Sequence, residues 1–582
     1  MQLRTLDLII IIAYLAAMSA LGLWCRKKAA RGIASYFLGS RELPWWALSL
    51  SGSVSTFDIT GTMWIVSLFY LMGLRSMWVH WMWGFLMAAF FMSYMGSWVR
   101  RSGVLTGAEW MEVRFGAGSS GRAARAASAV LAVVTCVGFI AYATEGIAKF
   151  SAAFLPASWS DTTCALVVVG ATTFYTLLGG VYSVVLTDVI QAILVLSVSL
   201  IITIIALVHI DPSVLPKDFL SLGVTWKLPD LEGTRYYFFG ALVMVYVAKG
   251  ILLNAGGPQQ IYDFQRFLAA RNDRDAAKIG AAWSLFLSYR WSLTMGIAAL
   301  AIMMGYQMSQ DPERALPSVL RTYLGSGVLG FVIAGFLAAE MSTFSSTVNG
   351  GASYLVNDLY KAFLRPKAER RELVGLSYLM SFLIVAAGVA FRFAFTGKEG
   401  SIDRAFKWIM VALGGGVLLP NFLRWYWWRF NGWGYTTGIV ASVVAAVIQV
   451  FYFPDAPDYY VFPVFFVIGL ASSIAGTLLT EPPDMEVLVR FYRRTKPAGL
   501  WGPVHRAVLE QDPAFNRGTP FSLQLFNTAV AGAGIVGLYL FPIYLVLKQW
   551  RSMAIAFAVF AACCVILFFS WYRPLKREEI TT

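Results

Sequence analysis

Hydrophobic positions in this chain come in long, nearly unbroken runs rather than in the alternation or narrow stripes of soluble elements. Runs of roughly 20 apolar residues, long enough to cross a hydrocarbon layer as helices, begin near Leu6, Trp45, Trp78, Ala124, Cys164, Val184, Tyr236 and Ala276. Further runs begin near Val328, Leu373, Ile402, Gly434, Tyr460, Leu523 and Ala554. The pattern predicts an all-α polytopic membrane protein with about 15 transmembrane helices, since helices satisfy their own backbone in lipid. Two of the predicted helices are interrupted. The second carries SVSTFDITGTM (Ser53 to Met63), with hydroxyls, Gly61 and the acid Asp58; the seventh carries NAGGPQQ (Asn254 to Gln260). They lie five helices apart. An odd number of crossings per unit inverts the second unit, and paired interrupted helices in two halves point to a transporter site. Gly and Pro are also ordinary in membrane helices, so the breaks alone leave both readings open.

The polar segments between runs set the orientation. RKKAAR after the first run, the stretch from Trp98 to Arg125, QRFLAARNDRDAAK, KAFLRPKAERRE, RWYWWR, Arg490 to Lys496 and RPLKREE each follow an odd-numbered run. Loops on the opposite side carry few cations. This asymmetry predicts the N-terminus outside and the C-terminus in the cytoplasm. The expected organisation is a first helix and loop (1–43), a first five-helix unit (44–232) and an inverted second unit (233–425). Additional helices (426–480), a cytoplasmic connector (481–520) and two terminal helices with a tail (521–582) follow.

Composition agrees: 58% of residues are hydrophobic and 13% charged, against about 25% charged in soluble domains, and the mean hydropathy is +0.65. The net charge of +14 then reads as cations held in cytoplasmic loops, not as a nucleic-acid surface. The five cysteines have no metal spacing and read as small buried hydrophobes. The run from Leu6 to Trp24 lacks a basic lead and a clean cleavage site, so a retained first helix is expected over a signal peptide.

Chemistry concentrates in AAEMSTFSSTVNGGASYLVNDLYK (Ala338 to Lys361) of the ninth run. Ser342, Ser345 and Ser346 share one helix face. Such hydroxyls serve either as hard oxygen ligands for an alkali cation or as small packing groups bonded to their own helix. Asp58 at membrane depth needs a counter-charge, because a bare carboxylate there costs on the order of 2.5–3.5 kcal/mol. A cation and a salt bridge to Lys249 are the two readings. Glu145, Glu340 and Arg290 are expected to line a cavity or to pair. His80, among Trp78, Trp81 and Trp83, is expected in an aromatic belt at the membrane surface.

The motif AAEMSTFSS followed by NDLYK resembles the ninth-helix signature of the sodium:solute symporter family. LLGGVYSVVLTDVIQ (Leu177 to Gln191), YFLGSRELPWWALSLSGSVSTFDITG (Tyr36 to Gly61) and IYDFQRFLAARNDRDAAK (Ile261 to Lys278) resemble further family motifs, in the same order. The resemblance covers about residues 6–480. It implies the LeuT-like fold of five plus five inverted helices and sodium-driven uptake of a small organic solute, a sugar or sugar derivative before an amino acid. It implies a principal sodium site from the carbonyls of Thr56, Ile59 and Ala339 and the hydroxyls of Ser342 and Thr343, with Asp58 as a linked acid. A second sodium would take Asp188, Ser342, Ser345 and Ser346. Trp81, Lys249, Asn254 and Gln259 are the expected solute contacts. The implied partners are sodium, a small solute and the lipid of a plasma (inner) membrane, without nucleic acid. An enzyme is not expected, since His80, His209 and His505 sit in unrelated settings with no nucleophile motif. A proton-coupled symporter of the same fold is the alternative, ahead of a transport-dead sensor.

Overall fold

The computed structural model describes residues 3–29, 43–104, 106–156, 158–178, 181–257, 266–306, 311–396 and 401–575. Among the described residues every named element is helical, and one isolated bridge pairs Trp427 with Leu500. Eleven helices among the described residues are long and apolar enough to cross a membrane, and Thr5–Leu21, Asp161–Phe174 and Phe239–Ala255 are shorter apolar helices. The elements that build the site are α1 (Thr5–Ala29), α2 (Trp45–Val54), α3 (Ile59–Met72), α4 (Ser119–Ala152), α5 (Asp161–Leu178) and α6 (Val181–His209). They continue with α7 (Phe239–Ala255), α8 (Asp273–Leu287), α9 (Tyr289–Met303), α10 (Val328–Ser353), α11 (Arg370–Thr396) and α12 (Gly414–Tyr426). Outside them lie α13 (Gly432–Tyr452), α14 (Asp458–Leu478), α15 (Met485–Thr495), α16 (Gly502–Gln511), α17 (Phe521–Val546) and α18 (Trp550–Leu567).

Burial separates a core from a lipid-facing ring. The spans Ile59–Met82, Val328–Leu364 and Ile402–Tyr426 are each 83% buried over their most apolar window, whereas Trp550–Leu575 is 11% buried. A helix apolar on all sides needs no protein neighbour in lipid. The acids at the centre are carried by the enclosed helices, whereas the terminal pair is mostly apolar, with Asn527 of α17 bonded to Ser570 (2.7 Å). In the core, α2 lies against α6 and α8, α3 against α4 and α9, and both touch α10. α1 runs along α6 and α10. Its Asp7 carboxylate accepts hydrogen bonds from the amides of Gly327 (2.7 Å) and Gly330 (2.9 Å), which fixes α1 to the start of α10.

The third apolar run departs from expectation. Gly73–Met82 is a 3₁₀ stretch, and regular helix begins only at Met87. Three residues per turn in place of 3.6 re-aims the side chains. His80 is consequently fully buried, packed by Trp64 (5.5 Å between ring centres) and Trp291 (5.0 Å), not part of a surface belt. Glu145 is an ion-pair residue: its carboxylate holds Arg392 at 2.7 Å, joining α4 to α11.

Candidate functional site

The site grows from the gap between α2 and α3. Hydroxyls end α2 by bonding back to its own carbonyls: Ser55 Oγ to Ser51 O (2.7 Å) and Thr56 Oγ1 to Ser53 O (2.8 Å). Such local bonds compete with helix continuation. Asp58 then restarts the helix. Its backbone is extended (φ −111°, ψ 164°), and its carboxylate accepts from the amide of Gly61, an N-cap that satisfies one of the free donors of the new helix. A second carboxylate serves the same end from α10: Glu340 Oε2 accepts from the amide of Ile59 at 3.0 Å. The other Glu340 oxygen is buried with no hydrogen-bond partner among the described residues.

α10 closes the gap with its hydroxyls. Thr343 Oγ1 donates to Ser55 O (2.8 Å) and also lies 3.3 Å from Ala339 O. Ser342 Oγ donates to Asp188 Oδ1 of α6 (2.6 Å) and lies 3.4 Å from Ser55 Oγ. Ser346 Oγ lies 3.2 Å from Ser55 Oγ. Ser345 instead bonds its own helix at Ser342 O (3.2 Å). Ala339, Ser342 and Thr343 are thus gathered with Ser55 and Ser346 at one buried place, in an all-oxygen donor set of the kind that freed carbonyls and hydroxyls offer to sodium; Thr56 adjoins it half-buried, its carbonyl bonded to Arg290. The unpartnered Glu340 oxygen stands beside them as a further oxygen donor, and a donor set of this chemistry is one that sodium takes. Ile59 is at the same place, with its amide turned to Glu340.

Two arginines complete the electrostatics. Arg290 of α9 donates to Thr56 O at 2.6 Å and stands 3.8 Å from Asp58. The protein cation beside Asp58 is therefore Arg290. Lys249 is fully buried on α7 and donates to Met82 O, which holds it away from the gap. Arg266, which precedes α8, donates from Nη2 to the hydroxyls of Ser346 (2.9 Å), Ser55 (3.0 Å) and Ser51 (3.2 Å) and stands 3.6 Å from Asp188. Ser51 in turn donates to Asp188. Sequence reasoning weighed Arg290 as a pairing residue and passed over Arg266 as part of a loop motif. The signal was the arithmetic of charge: each deep acid requires a cation.

A cavity of about 160 Å³ adjoins the gap. Thr56, Asp58, Gly61 and Thr343 form its polar wall with Arg290, Tyr142 and Asn254, and Trp83, Phe85, Phe91 and Phe406 are among its aromatic residues. Asn254, one of the expected solute contacts, lies on this wall. Trp81 is not on this wall; it stacks between Trp78 and Phe85 (6.1 Å each), and the 3₁₀ geometry brings Trp83 and Phe85 there. Lys249 is likewise off the wall, and Gln259 lies outside the described residues.

Comparisons with known proteins fit this geometry. Residues 36–441 match the model of the sodium:solute symporter family. The osmoregulated proline transporter OpuE of Bacillus subtilis is 26% identical over 358 residues, covering 59% of this chain and 69% of that protein. The sodium/glucose cotransporter of Vibrio parahaemolyticus is 24% identical over 504 residues, covering 77% and 85%. A Na⁺-coupled sialic acid symporter, solved in a substrate-bound outward-open state, superposes with a TM-score of 0.65 at 17% identity. That match covers 83% of this chain and 99% of the other, and at this identity it speaks to the fold. The chain belongs to the sodium:solute symporter family, whose members are transporters rather than enzymes.

Proposed function

We propose that the protein imports a small organic solute across a plasma membrane by alternating access, driven by sodium. The preferred class is a sugar or sugar derivative before an amino acid. The observation that carries this reading is a shared wall: Thr343 of the oxygen cluster also lines the cavity, next to Thr56 and Asp58. An ion ordering the gap between α2 and α3 against α10 therefore shapes the solute chamber, and differential binding of that kind is what couples two ligands. Aromatic walls with a few hydrogen-bonding groups suit a small ring. Trp83, Phe85 and Phe406 supply faces; Asn254, Asp58 and Arg290 supply polar contacts.

In this reading residues 44–232 and 233–425 are the two inverted five-helix units, within about 15 crossings and with the C-terminus cytoplasmic. Sodium, when bound, supplies positive charge at the Thr56–Ala339–Ser342–Thr343 cluster. Thr343 and Ser55 hold α10 against α2, and Asp58 and Glu340 keep the amide end of α3 satisfied. The test is uptake of labelled sugars and amino acids by reconstituted protein under imposed ion gradients. Sodium-stimulated accumulation of one solute class is expected. Uptake indifferent to sodium refutes the reading, and uptake driven by a pH gradient in sodium-free buffer selects proton coupling in its place.

A further inference from the structure

We propose that the connector following α14 is a brace for the end of α7. Leu500 and Trp501 hold the last turn of α12, and Trp425 and Tyr426 of that turn position α7 beside Asn254 of the chamber wall. What the brace does for transport rests on the symport reading above; the contacts themselves do not.

The last carbonyls of a helix have no partner within it. At the end of α12 they are taken from outside. The carbonyls of Arg424, Trp427 and Trp428 accept from the Arg114 guanidinium at 2.9, 3.0 and 3.3 Å. The connector takes the two between them: Trp501 Nε1 donates to Trp425 O (2.9 Å) and the Leu500 amide to Tyr426 O (2.6 Å). The Trp428 amide donates back to Leu500 O at 3.2 Å, which makes the isolated bridge between Trp427 and Leu500. Gly499, just before it, has φ +111°, and a Cβ there would lie 2.5 Å from the Tyr426 carbonyl. Glycine alone suits both the conformation and the close approach. Trp501 is fully buried among the rings of Phe491 (5.7 Å) and Tyr492 (5.5 Å) of α15 and the Arg114 guanidinium (4.7 Å), so α15 backs the contact.

The same two residues of α12 turn their side chains to α7. Tyr426 Oη donates to the carbonyl of Ala255, the last residue of α7, at 3.0 Å, and lies 2.9 Å from Tyr94 Oη. Trp425 is fully buried, and a Cβ on Gly257 would lie 3.0 Å from its indole Nε1. Leu253, Asn254 and Gly257 line the chamber. Two consecutive residues thus give their carbonyls to the connector and their rings to the end of α7. A change in the connector reaches the chamber wall through contiguous contacts of this kind. In the symport reading, the hold on α7 sets how readily the chamber opens at that end.

The test is hydrogen exchange of the purified full chain, read by mass spectrometry without solute. Tyr426→Phe keeps the ring and removes the donor to Ala255 O; it is expected to speed exchange in the C-terminal half of α7 by up to about tenfold, the range of one buried hydrogen bond. Trp501→Phe removes the indole donor, and Gly499→Ala pushes the connector off Tyr426. Both are expected to speed exchange at the same place, with α10 unchanged. In a Tyr426→Phe chain their added effect should shrink, because contacts along one path are not additive. Unchanged exchange at α7 in the connector variants overturns the brace. Full additivity overturns it too, as does equal acceleration in α10, the mark of general loosening. Should Gly499→Ala not fold, Trp501→Phe decides. Uptake indifferent to sodium overturns the symport reading and leaves the exchange result standing.

Discussion

Replacing Asp58 by asparagine separates the two tasks that its carboxylate performs. As an N-cap, the side chain accepts from the Gly61 amide, and asparagine caps as well as aspartate does. Alanine does not, and losing such a cap costs about 1 kcal/mol. As a charge, Asp58 faces Arg290 at 3.8 Å, with side chains 12% and 4% exposed. At an effective dielectric of 20, two unit charges at that separation interact by about 4 kcal/mol. Asparagine removes this interaction and leaves a guanidinium, still bonded to Thr56 O at 2.6 Å, unbalanced beside the ion site. Glu340, on the same helix end, compensates in part. If only a third of the interaction reaches the sodium, its affinity falls about tenfold, since 1.4 kcal/mol is one decade.

Asp58→Asn is therefore expected to raise the sodium concentration for half-maximal uptake at least about tenfold while the melting temperature moves only a few degrees. Asp58→Ala is expected to show the same sodium defect and a lower melting temperature. Adding Arg290→Gln to Asp58→Asn is expected to recover part of the sodium affinity, because it removes the unbalanced cation; the coupling between the two changes is the measured quantity. An Asp58→Asn protein with wild-type sodium dependence refutes the electrostatic role. Losses of stability and of sodium response that track one another across both variants refute the separation.

Other changes test other parts of the structure. Thr343→Val removes the donor to Ser55 O at constant volume; a buried hydrogen bond is worth about 0.5–1.5 kcal/mol net, so the sodium requirement should rise by up to tenfold and Thr343→Ser should restore it. Gly469 of α14 has no room for a side chain, because a Cβ there would run into the Gly416 carbonyl of α12; Gly469→Ala should cost about 1–3 kcal/mol, read as an earlier melt, and an unchanged melt would refute that close approach. In the connector, burial, then the charge of Arg517, holds the His505 imidazole below its ordinary range. A depressed histidine favours the folded state above the unfolded value of about 6.5 and loses that contribution as pH falls below it. Hydrogen exchange in Met485–Gln511, corrected for intrinsic rate, should therefore speed up between pH 7 and pH 5, and His505→Gln should flatten that change.

The residues themselves explain what was legible in advance. The break at Ser55 to Asp58 announced itself, because hydroxyls that bond back and an aspartate that caps are local chemistry. The hydroxyl face of α10 was equally plain, since helical spacing puts Ser342 and Ser346 together. What the chain does not display is azimuth between distant helices. Lys249 and Arg290 are both lone cations in apolar runs, and only packing shows that Arg290 meets Asp58 while Lys249 turns to Met82. Trp81 gave way to Trp83 and Phe85 for a different reason: a 3₁₀ stretch has a different period from the α-helix that hydropathy assumes, and the composition of GLRSMWVHWM does not reveal which it adopts.

The charges at the centre of the molecule also account for one another. Asp58 meets Arg290, and Asp188 meets Arg266. Glu340 meets only the amide end of α3, with one oxygen left over. That oxygen belongs to the residue after Ala339, beside the gap that Thr343 closes. An acid at a place where hydrophobic neighbours would suffice for packing is expected to help draw a cation to the broken helix. Glu340→Gln should then raise the sodium concentration for half-maximal uptake, and an unchanged requirement refutes that role.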